Sequence, residues 1–430
     1  MKYRWLIAVL AISSAFAQED PFAEWNEWLR ESTHGIFAFT FEERTRWEEK
    51  DGVNFGKSVD QQDMLSRIRP GVEIVPLNWL TIEATGQDAR APFYGANAPN
   101  TMRDPMDLEQ AYVEFFGHRK TGFGAEFGRE FLNYGETRVI ASTPWSNTDR
   151  TFDNARMYYR TDRDRFEILM VSPVKVQEDH WSQPDLGERL WGTYDTFADV
   201  WQGASFDVYA LRHSQNLIGG WTGPGTLGTD SFGGRAYGKL PGQFAYSFEG
   251  IGQTGHMGLL DQRAYAWFSG VTRPVTAFHK PLDLSAEYKL ASGTKPGEPY
   301  SGTYDQLMPA NHDKFGREDL FGWRNLKTFK SLETYHVSKV FALNLMYCDD
   351  SLFSASDALY NSQGKSLAVS PKGLAGTHVG QELDSFVTYK YGPNLFGAGF
   401  GHFFKGHFIE MTTKNINPRY FYVFQEYSFH

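Results

Sequence analysis

The chain has 430 residues, a formal net charge of −10 at pH 7, 16% aromatic and 41% hydrophobic residues, and one cysteine, Cys348. An acidic balance excludes the basic surface that a nucleic-acid binder needs to neutralise phosphates. A lone cysteine excludes a small fold stapled by internal disulfides.

At the N-terminus, "MKYRWLIAVLAISSAFAQ" carries Lys2 and Arg4, an apolar stretch from Leu6 to Ile12, and small residues at Ala15 and Ala17. This is the pattern of a secretory signal peptide over residues 1–17, with Gln18 opening the mature chain. No later stretch reaches about 18 uninterrupted apolar residues, so no helical membrane anchor is expected. Residues 18–33 form a lead-in in which Phe22, Trp25, Trp28 and Leu29 have helical spacing. They predict either a short periplasmic helix or a disordered segment.

Eighteen strands follow, near 34–48, 61–75, 79–88, 107–117, 121–132, 150–161, 164–177, 187–197, 200–213, 229–239, 242–252, 260–270, 276–290, 323–334, 337–349, 377–391, 394–410 and 419–429. In "PLDLSAEYKL" Leu282, Leu284, Ala286, Tyr288 and Leu290 share one face, and Asp283, Ser285, Glu287 and Lys289 the other. One apolar and one charged face fit a soluble sandwich as well as a membrane barrel with a wet lumen. The connections separate the two. "PLN", "GHRK", "TDRD", "ADV", "LPG", "YHV" and "YGPN" are turn-sized, whereas "ASTPWSNTD", "KPGEPYSGTYDQLMPANHDKFGRED" and "SASDALYNSQGKSLAVSPKG" lie in long loops. Short turns at one end and long loops at the other are the pattern of an outer-membrane barrel. No Pro/Ser linker or charge block divides the chain, so residues 18–430 are expected to form one all-β domain, a transmembrane antiparallel β-barrel. An even strand count puts both termini in the periplasm.

Catalytic and metal motifs are scarce. "GPGTLG", Gly223 to Gly228, matches G-x-G-x-x-G but lacks the flanking strand and helix of a pyrophosphate site, and reads as a flexible loop. His312 and Asp313 in "NHDKFGRED" read as solvated loop residues rather than metal ligands. No cofactor or metal is expected. A Ser/His pair at the barrel rim, acting on lipids, would need an orienting partner brought in across strands, and no residues mark such a set.

Charge on the inward face is the remaining signal. Arg67 and Arg69 in "LSRIRP", Arg156 and Arg160 in "NARMYYR", and Arg235, Arg263, Lys289 and Lys390 alternate with apolar or small neighbours. An arginine facing lipid costs about 2–4 kcal/mol near the midplane, so all are expected in the lumen. There they either pair with Asp and Glu and fill the barrel, or line a constriction and bind anionic groups.

The stretch "GREFLNYGETRVIASTPWSNTDRTFDNARMYY", Gly128 to Tyr159, resembles the signature of the alginate export family of outer-membrane barrels. Gly128, Arg129, Tyr134, Gly135, Arg138, Trp145, Asn147, Arg150, Phe152, Asp153 and Arg156 match, and Glu130 stands where glutamine is usual. "MPANHDKFGREDLFGWRN" resembles the family's loop before a late strand, and "GQELDSFVTYKYGPNLFGAGFGHFFKG" its closing hairpin. The resemblance implies an eighteen-stranded barrel with an electropositive constriction that passes an anionic polyuronate. With the inward reading, it nominates Arg67, Arg129, Arg138, Arg156, Arg160 and Arg263 for the constriction, and Glu130, Asp153 and Asp384 as acidic partners. It also implies that residues 133–148 fold inward and narrow the channel. Arg129 shares the parity of Phe123, Ala125 and Phe127, so either a bulge intervenes or it lies above the membrane band.

The last strand, "YFYVFQEYSFH", sets Phe421, Val423, Tyr427 and Phe429 toward lipid, with Gln425 interrupting. Its aromatic end resembles the terminal signal read by the barrel assembly machinery, with His430 added. The expectation is therefore a non-enzymatic outer-membrane channel for an acidic polysaccharide or related sugar acids, supplied by periplasmic delivery proteins and surrounded by outer-membrane lipid. The alternatives are a general porin for small anions or oligosaccharides, a barrel enzyme acting on lipids, and a soluble carbohydrate-binding β-protein.

Overall fold

A computed structural model describes residues 21–94, 98–218 and 225–429. The signal peptide read over residues 1–17, and His430, lie outside the described residues. Helix α1 (Pro21–Ser32) leads into β1 (Phe37–Asp51), β2 (Gln61–Leu77), β3 (Leu80–Arg90), β4 (Asp104–Phe115), β5 (Gly122–Glu130), β6 (Phe152–Arg160) and β7 (Asp164–Lys175). Next come β8 (Gln183–Pro184), β9 (Glu188–Trp201), β10 (Ala204–Ile218), β11 (Gly225–Leu240), β12 (Phe244–Met257), β13 (Leu260–Ala277) and β14 (Lys280–Ala291). The chain ends with β15 (Leu326–His336), β16 (Phe341–Leu352), β17 (Ala358–Tyr360), β18 (Ser366–Val369), β19 (His378–Tyr391), β20 (Asn394–Lys405) and β21 (Arg419–Phe429).

Leaving aside the short β8 and the separate β17–β18 hairpin, eighteen strands pair antiparallel in sequence order. Strand β1 also pairs with β21, from Phe41↔Phe429 to Asp51↔Arg419, so the sheet closes on itself. Closure removes the free edges that an open sheet would expose in lipid. Among the described residues no helix is long and apolar enough to cross a membrane. The transmembrane barrel expected from loop sorting is what the chain forms.

Side-chain alternation gives the wall its two faces. On β6, Met157 and Tyr159 are exposed on the outside while Arg156 and Tyr158 are buried inside. On β13, Tyr265 and Trp267 face out while Ala264, Ala266 and Phe268 face in. On β21, Phe421 lies outside, and Tyr420, Tyr422 and Phe424 point into the barrel. The inner face of β20 is glycine there for a reason of space. A Cβ on Gly397 would sit 2.2 Å from the Phe424 ring, and one on Gly399 would sit 2.4 Å from Tyr422.

The connections sort by end. At the end shared with the termini they are residues 78–79, 116–121, 161–163, 202–203, 241–243, 278–279, 337–340 and 392–393. At the other end they include 91–103, 131–151, 292–325, 353–377 and 406–418, with the tight 258–259 hairpin as an exception. We call these the turn end and the loop end. Three segments, 131–151, 292–325 and 353–377, fold into the barrel. Ile140, Ala141, Tyr304, Phe321 and Leu359 are fully buried there against wall residues such as Leu190, Tyr209 and Phe268.

Three local expectations need correction. The strand expected over 394–410 stops at Lys405, and His407–Thr412 makes a short helix that buries Phe408 and Ile409. The strand expected over 260–270 runs on to Ala277, because the turn is the two-residue Phe278–His279 with positive φ at both positions (48° and 62°). That is the backbone twist a tight hairpin needs. Finally, Gly225 to Gly228 of "GPGTLG" belong to β11 rather than to a loop, while Gly223 and Pro224 lie outside the described residues.

Candidate functional site

The lumen is organised by arginines that hold the inward segments. Arg44 and Arg46 on β1 and Arg67 and Arg69 on β2 all point inward, and Arg44 stands directly opposite Arg67. Like charges opposite one another repel across a ladder, so such a patch needs dense acceptors. The 131–151 segment supplies them as backbone carbonyls. Arg44 donates to the carbonyl oxygens of Pro144 (2.6 Å), Trp145 (3.3 Å) and Ser146 (2.7 Å), and Arg46 to that of Trp145 (2.6 Å). Arg67 donates to the Ser146 carbonyl (2.9 Å) and to Glu42. Arg69 pairs with Glu109 (2.8 Å) and lies 3.6 Å from Asp149. The buried Asn147 amide donates to the carbonyls of Ser66 (3.0 Å), Arg90 (3.2 Å) and Met102 (2.9 Å), fastening the segment to β2, to the end of β3 and to the 91–103 connection.

Trp145 joins two of the inward segments. Its ring stacks on the His312 imidazole at 4.4 Å, carries the Arg46 guanidinium at 4.1 Å, and meets Tyr422 and Phe424 edge-on at 5.1 and 5.6 Å. Its indole N–H donates to the Tyr420 hydroxyl (3.2 Å). His312 is thus packed inside the barrel and hydrogen-bonded to Asp319 (2.8 Å), which corrects its reading as a solvated loop residue. Among the described residues no cluster of His, Cys, Asp and Glu has the arrangement of a metal site.

A second basic group lies across the lumen. Arg138 pairs with Glu136 (2.5 Å) and lies over the Phe268 ring (3.2 Å), and Arg235 pairs with Asp207 (2.8 Å). Lys289 and Lys330 share Glu287 (2.8 and 3.4 Å). Lys314 has no ion pair among the described residues. Its burial, and then the neighbouring Arg138 and Lys330 cations, hold its ammonium below the usual lysine range. On β6, Arg156 is gripped by Glu126 (2.7 Å), Glu130 (2.7 Å) and Glu167 (3.2 Å). Nearer the turn end, Arg160 and Arg165 lie over the Tyr158 ring at 4.7 and 4.1 Å. Arg160 donates only to the Phe116 and Gly117 carbonyls and the Tyr158 hydroxyl, and no carboxylate pairs with it among the described residues.

Of the six nominated cations, Arg67, Arg138, Arg156 and Arg160 therefore point into the lumen, at separate places rather than in one ring. Arg129 and Arg263 do not. Arg129 keeps the outward parity of the exposed Phe123 and Phe127 and pairs on that face with Asp153 (2.7 Å), its register partner. Arg263 shares the outer face of β13 with Tyr265 and Trp267 and rests 5.2 Å over the Tyr300 ring near the loop-end rim, where an arginine is cheap because water is close. Among the acids, Glu130 faces Arg156 rather than Arg129, and Asp384 accepts from the Arg317 N–H (3.4 Å). Arg44, Arg46 and Arg317 were missed. Strict alternation in "FEERTRWEEK" marks the first two, but the sequence carries no sign of their carbonyl acceptors.

Glu318 of the 292–325 segment docks on β19 through its N–H, which donates to Glu382 (3.0 Å). Burial first, and the Asp384 carboxylate second, push the Glu318 carboxyl up from 4.5 to about 8. The folded chain therefore keeps this proton over a window in which the unfolded chain has lost it. Stability from this group is present below pH 4.5 and lost as pH rises toward about 8. Glu318→Gln should flatten that decline in the thermal midpoint measured between pH 5 and 9. Parallel wild-type and variant curves would refute it.

His213 has a carboxylate on each ring nitrogen, Asp305 at 2.6 Å and Glu188 at 3.0 Å, and among the described residues no serine hydroxyl is hydrogen-bonded to a histidine ring.

The sequence profile of the alginate export family matches residues 34–423. The chain belongs to the alginate export family. No curated protein sequence matches it significantly. Its fold is similar to those of solved Pseudomonas aeruginosa barrels. OccK8 (OprE) superposes with a TM-score of 0.60 at 8% identity over 91% of this chain and 98% of that one. OccD3 (OpdP) gives 0.62 at 10% identity, covering 91% of each chain. OpdK, solved with vanillate, gives 0.62 at 6% identity over 92% of this chain and 99% of that one. This member of the family is an outer-membrane barrel of the channel-forming kind.

Proposed function

We propose that the barrel passes an acidic polysaccharide of the alginate kind, or its fragments, passively across the outer membrane, with the turn end in the periplasm. The observation that carries this reading is that inward cations stand without a carboxylate partner among the described residues; Arg44 is one, closed off by the carbonyls of the 131–151 segment, and Arg160 and Lys314 are two more. Arg160 stands toward the turn end, and Lys314 lies deeper, between the inward segments. Separate anion-attracting points along a lumen give weak, multiple binding, which conduction requires. Tyr158, held between Arg160 and Arg165, adds a ring near the first of them.

A narrower reading is favoured by the packing at the loop end, where Tyr304, Phe321 and Leu359 are fully buried. That filling suits small sugar acids better than a long polymer. The neighbour OpdK, solved with the small carboxylate vanillate, sets a precedent for it.

Purified protein in planar bilayers under a KCl gradient should show anion-selective reversal potentials, shifted toward cations by Arg160→Gln. Cation preference in the unmodified protein would overturn the reading. Block by polyuronate but not by neutral glucan supports the polymer, whereas liposome swelling in uronic-acid monomers without polymer block supports the narrower solute.

A further inference from the structure

Helix α1 makes an unusual connection to the barrel. Strand β21 covers β1 only as far as Phe41↔Phe429, so the backbone of Phe39 lies just past its end. The Asn26 side chain takes that place. Its amide donates to the Phe39 carbonyl (2.8 Å) and its oxygen accepts from the Phe39 N–H (2.6 Å), as a neighbouring strand would. Trp25 packs on the Phe39 ring at 5.2 Å and Phe22 on Phe429 at 6.2 Å, both on the outward face of the wall. The helix is therefore fixed outside the barrel, at the turn end, beside the seam where first and last strands meet.

The exposed flanks of this helix differ in chemistry. Helical geometry puts Phe22, Asn26 and Leu29 against the wall and Trp25 and Trp28 on one flank, with Ala23 and Arg30 on the opposite flank and Glu24, Glu27 and Glu31 on the side facing away from the wall. Phe22, Trp25 and Trp28 are 56, 47 and 60% exposed, too much aromatic surface for a face that meets water. Their level is also that of a belt of outward rings on the wall, Phe39, Phe41, Tyr389, Tyr391 and Phe429 among them. Such belts sit where headgroups meet acyl chains.

We propose that α1 is an interfacial helix. It lies in the headgroup layer of the turn-end leaflet with Trp25 and Trp28 turned toward the acyl chains and the three glutamates toward water, and it continues the aromatic belt across the seam. The partner it fits is the lipid surface itself. Trp, Phe and Leu on one side and charge on the other are what hold amphipathic helices in an interface, and three glutamates against the single Arg30 on the polar side mean that apolar insertion, not attraction to anionic lipid, supplies the binding.

Cys348 is fully buried, so a cysteine introduced on α1 is the site a nitroxide label reaches in the folded protein. Full-length Trp28→Cys and Glu27→Cys variants, labelled and reconstituted into phosphatidylethanolamine/phosphatidylglycerol vesicles, are compared for collision with oxygen and with a water-soluble nickel chelate. The oxygen-to-chelate ratio should be several-fold higher at position 28 than at 27, and unchanged when phosphatidylglycerol is replaced by neutral lipid. Equal ratios at the two positions would overturn the proposal, as would chelate reaching position 28 more readily. An Asn26→Ala background, in which both labels should gain mobility, tests the latch separately from the lipid contact.

Discussion

Trp145→Ala is expected to release two lumen segments at once and to raise the single-channel conductance. The indole bears the Arg46 guanidinium and the His312 ring, and its edges fill the space against Tyr422 and Phe424. Removing a fully buried aromatic of this size costs about 3–5 kcal/mol through lost transfer energy and the cavity left behind, and the half-buried Trp145 should cost less. The loss falls on contacts between loops and wall, not on the barrel ladder, so the strands should stay paired. The variant should keep its heat-modifiable gel shift and far-ultraviolet spectrum while its conductance grows and becomes noisier. Trp145→Phe, which keeps a ring for Arg46 and His312 but loses the N–H to Tyr420, should fall between. Unchanged conductance in the alanine variant would mean that these segments do not limit the path. A lost gel shift would mean that the packed interior holds the barrel shut as a fold.

The wall was legible in the sequence and the lumen only in part, for physical reasons. Alternation with period two follows from strand geometry alone, so Phe421 and Phe429 on β21, or Met157 and Tyr159 on β6, announce the outer face without any knowledge of neighbours. Loop sorting follows from length alone. What occupies the lumen depends on contacts between segments far apart in the chain, and many of their acceptors are backbone carbonyls. Those of Pro144, Trp145 and Ser146 are as available in any residue, so no residue type marks the bed on which Arg44 and Arg67 lie. Arg129 shows the other limit. Its family match drew it into the constriction, whereas its parity with Phe123 and Phe127 put it outside, and parity was the better guide because it is fixed by covalent geometry. Arg263 carried the same parity signal from Tyr265 and Trp267 and was assigned inward on the cost of arginine in lipid, a cost that falls away near the rim.

Glu130, where the family usually has glutamine, sets up the second strong expectation. Three carboxylates, Glu126, Glu130 and Glu167, converge on the single Arg156 guanidinium, and all are buried. Glu167 is shared with Arg165 (2.6 Å), but Glu126 and Glu130 have Arg156 alone, so the four groups are unequal in what their removal does. Arg156→Met would leave Glu126 and Glu130 facing each other with no counter-charge, while Glu167 keeps Arg165 (2.6 Å), a loss of about 3–5 kcal/mol for a broken buried pair. Glu130→Gln keeps a hydrogen-bond acceptor for the guanidinium and relieves repulsion with Glu126, so its effect should stay within about 1 kcal/mol and tend toward stabilisation. Adding Glu126→Gln and Glu130→Gln to Arg156→Met should recover most of what the arginine loss removed, because the damage lies in the uncompensated charges. Denaturant unfolding of the four proteins in one detergent reads all three numbers. If Glu130→Gln destabilised as much as Arg156→Met, the third carboxylate would be a needed partner rather than a surplus one, and the departure from glutamine would count as a structural gain of this chain.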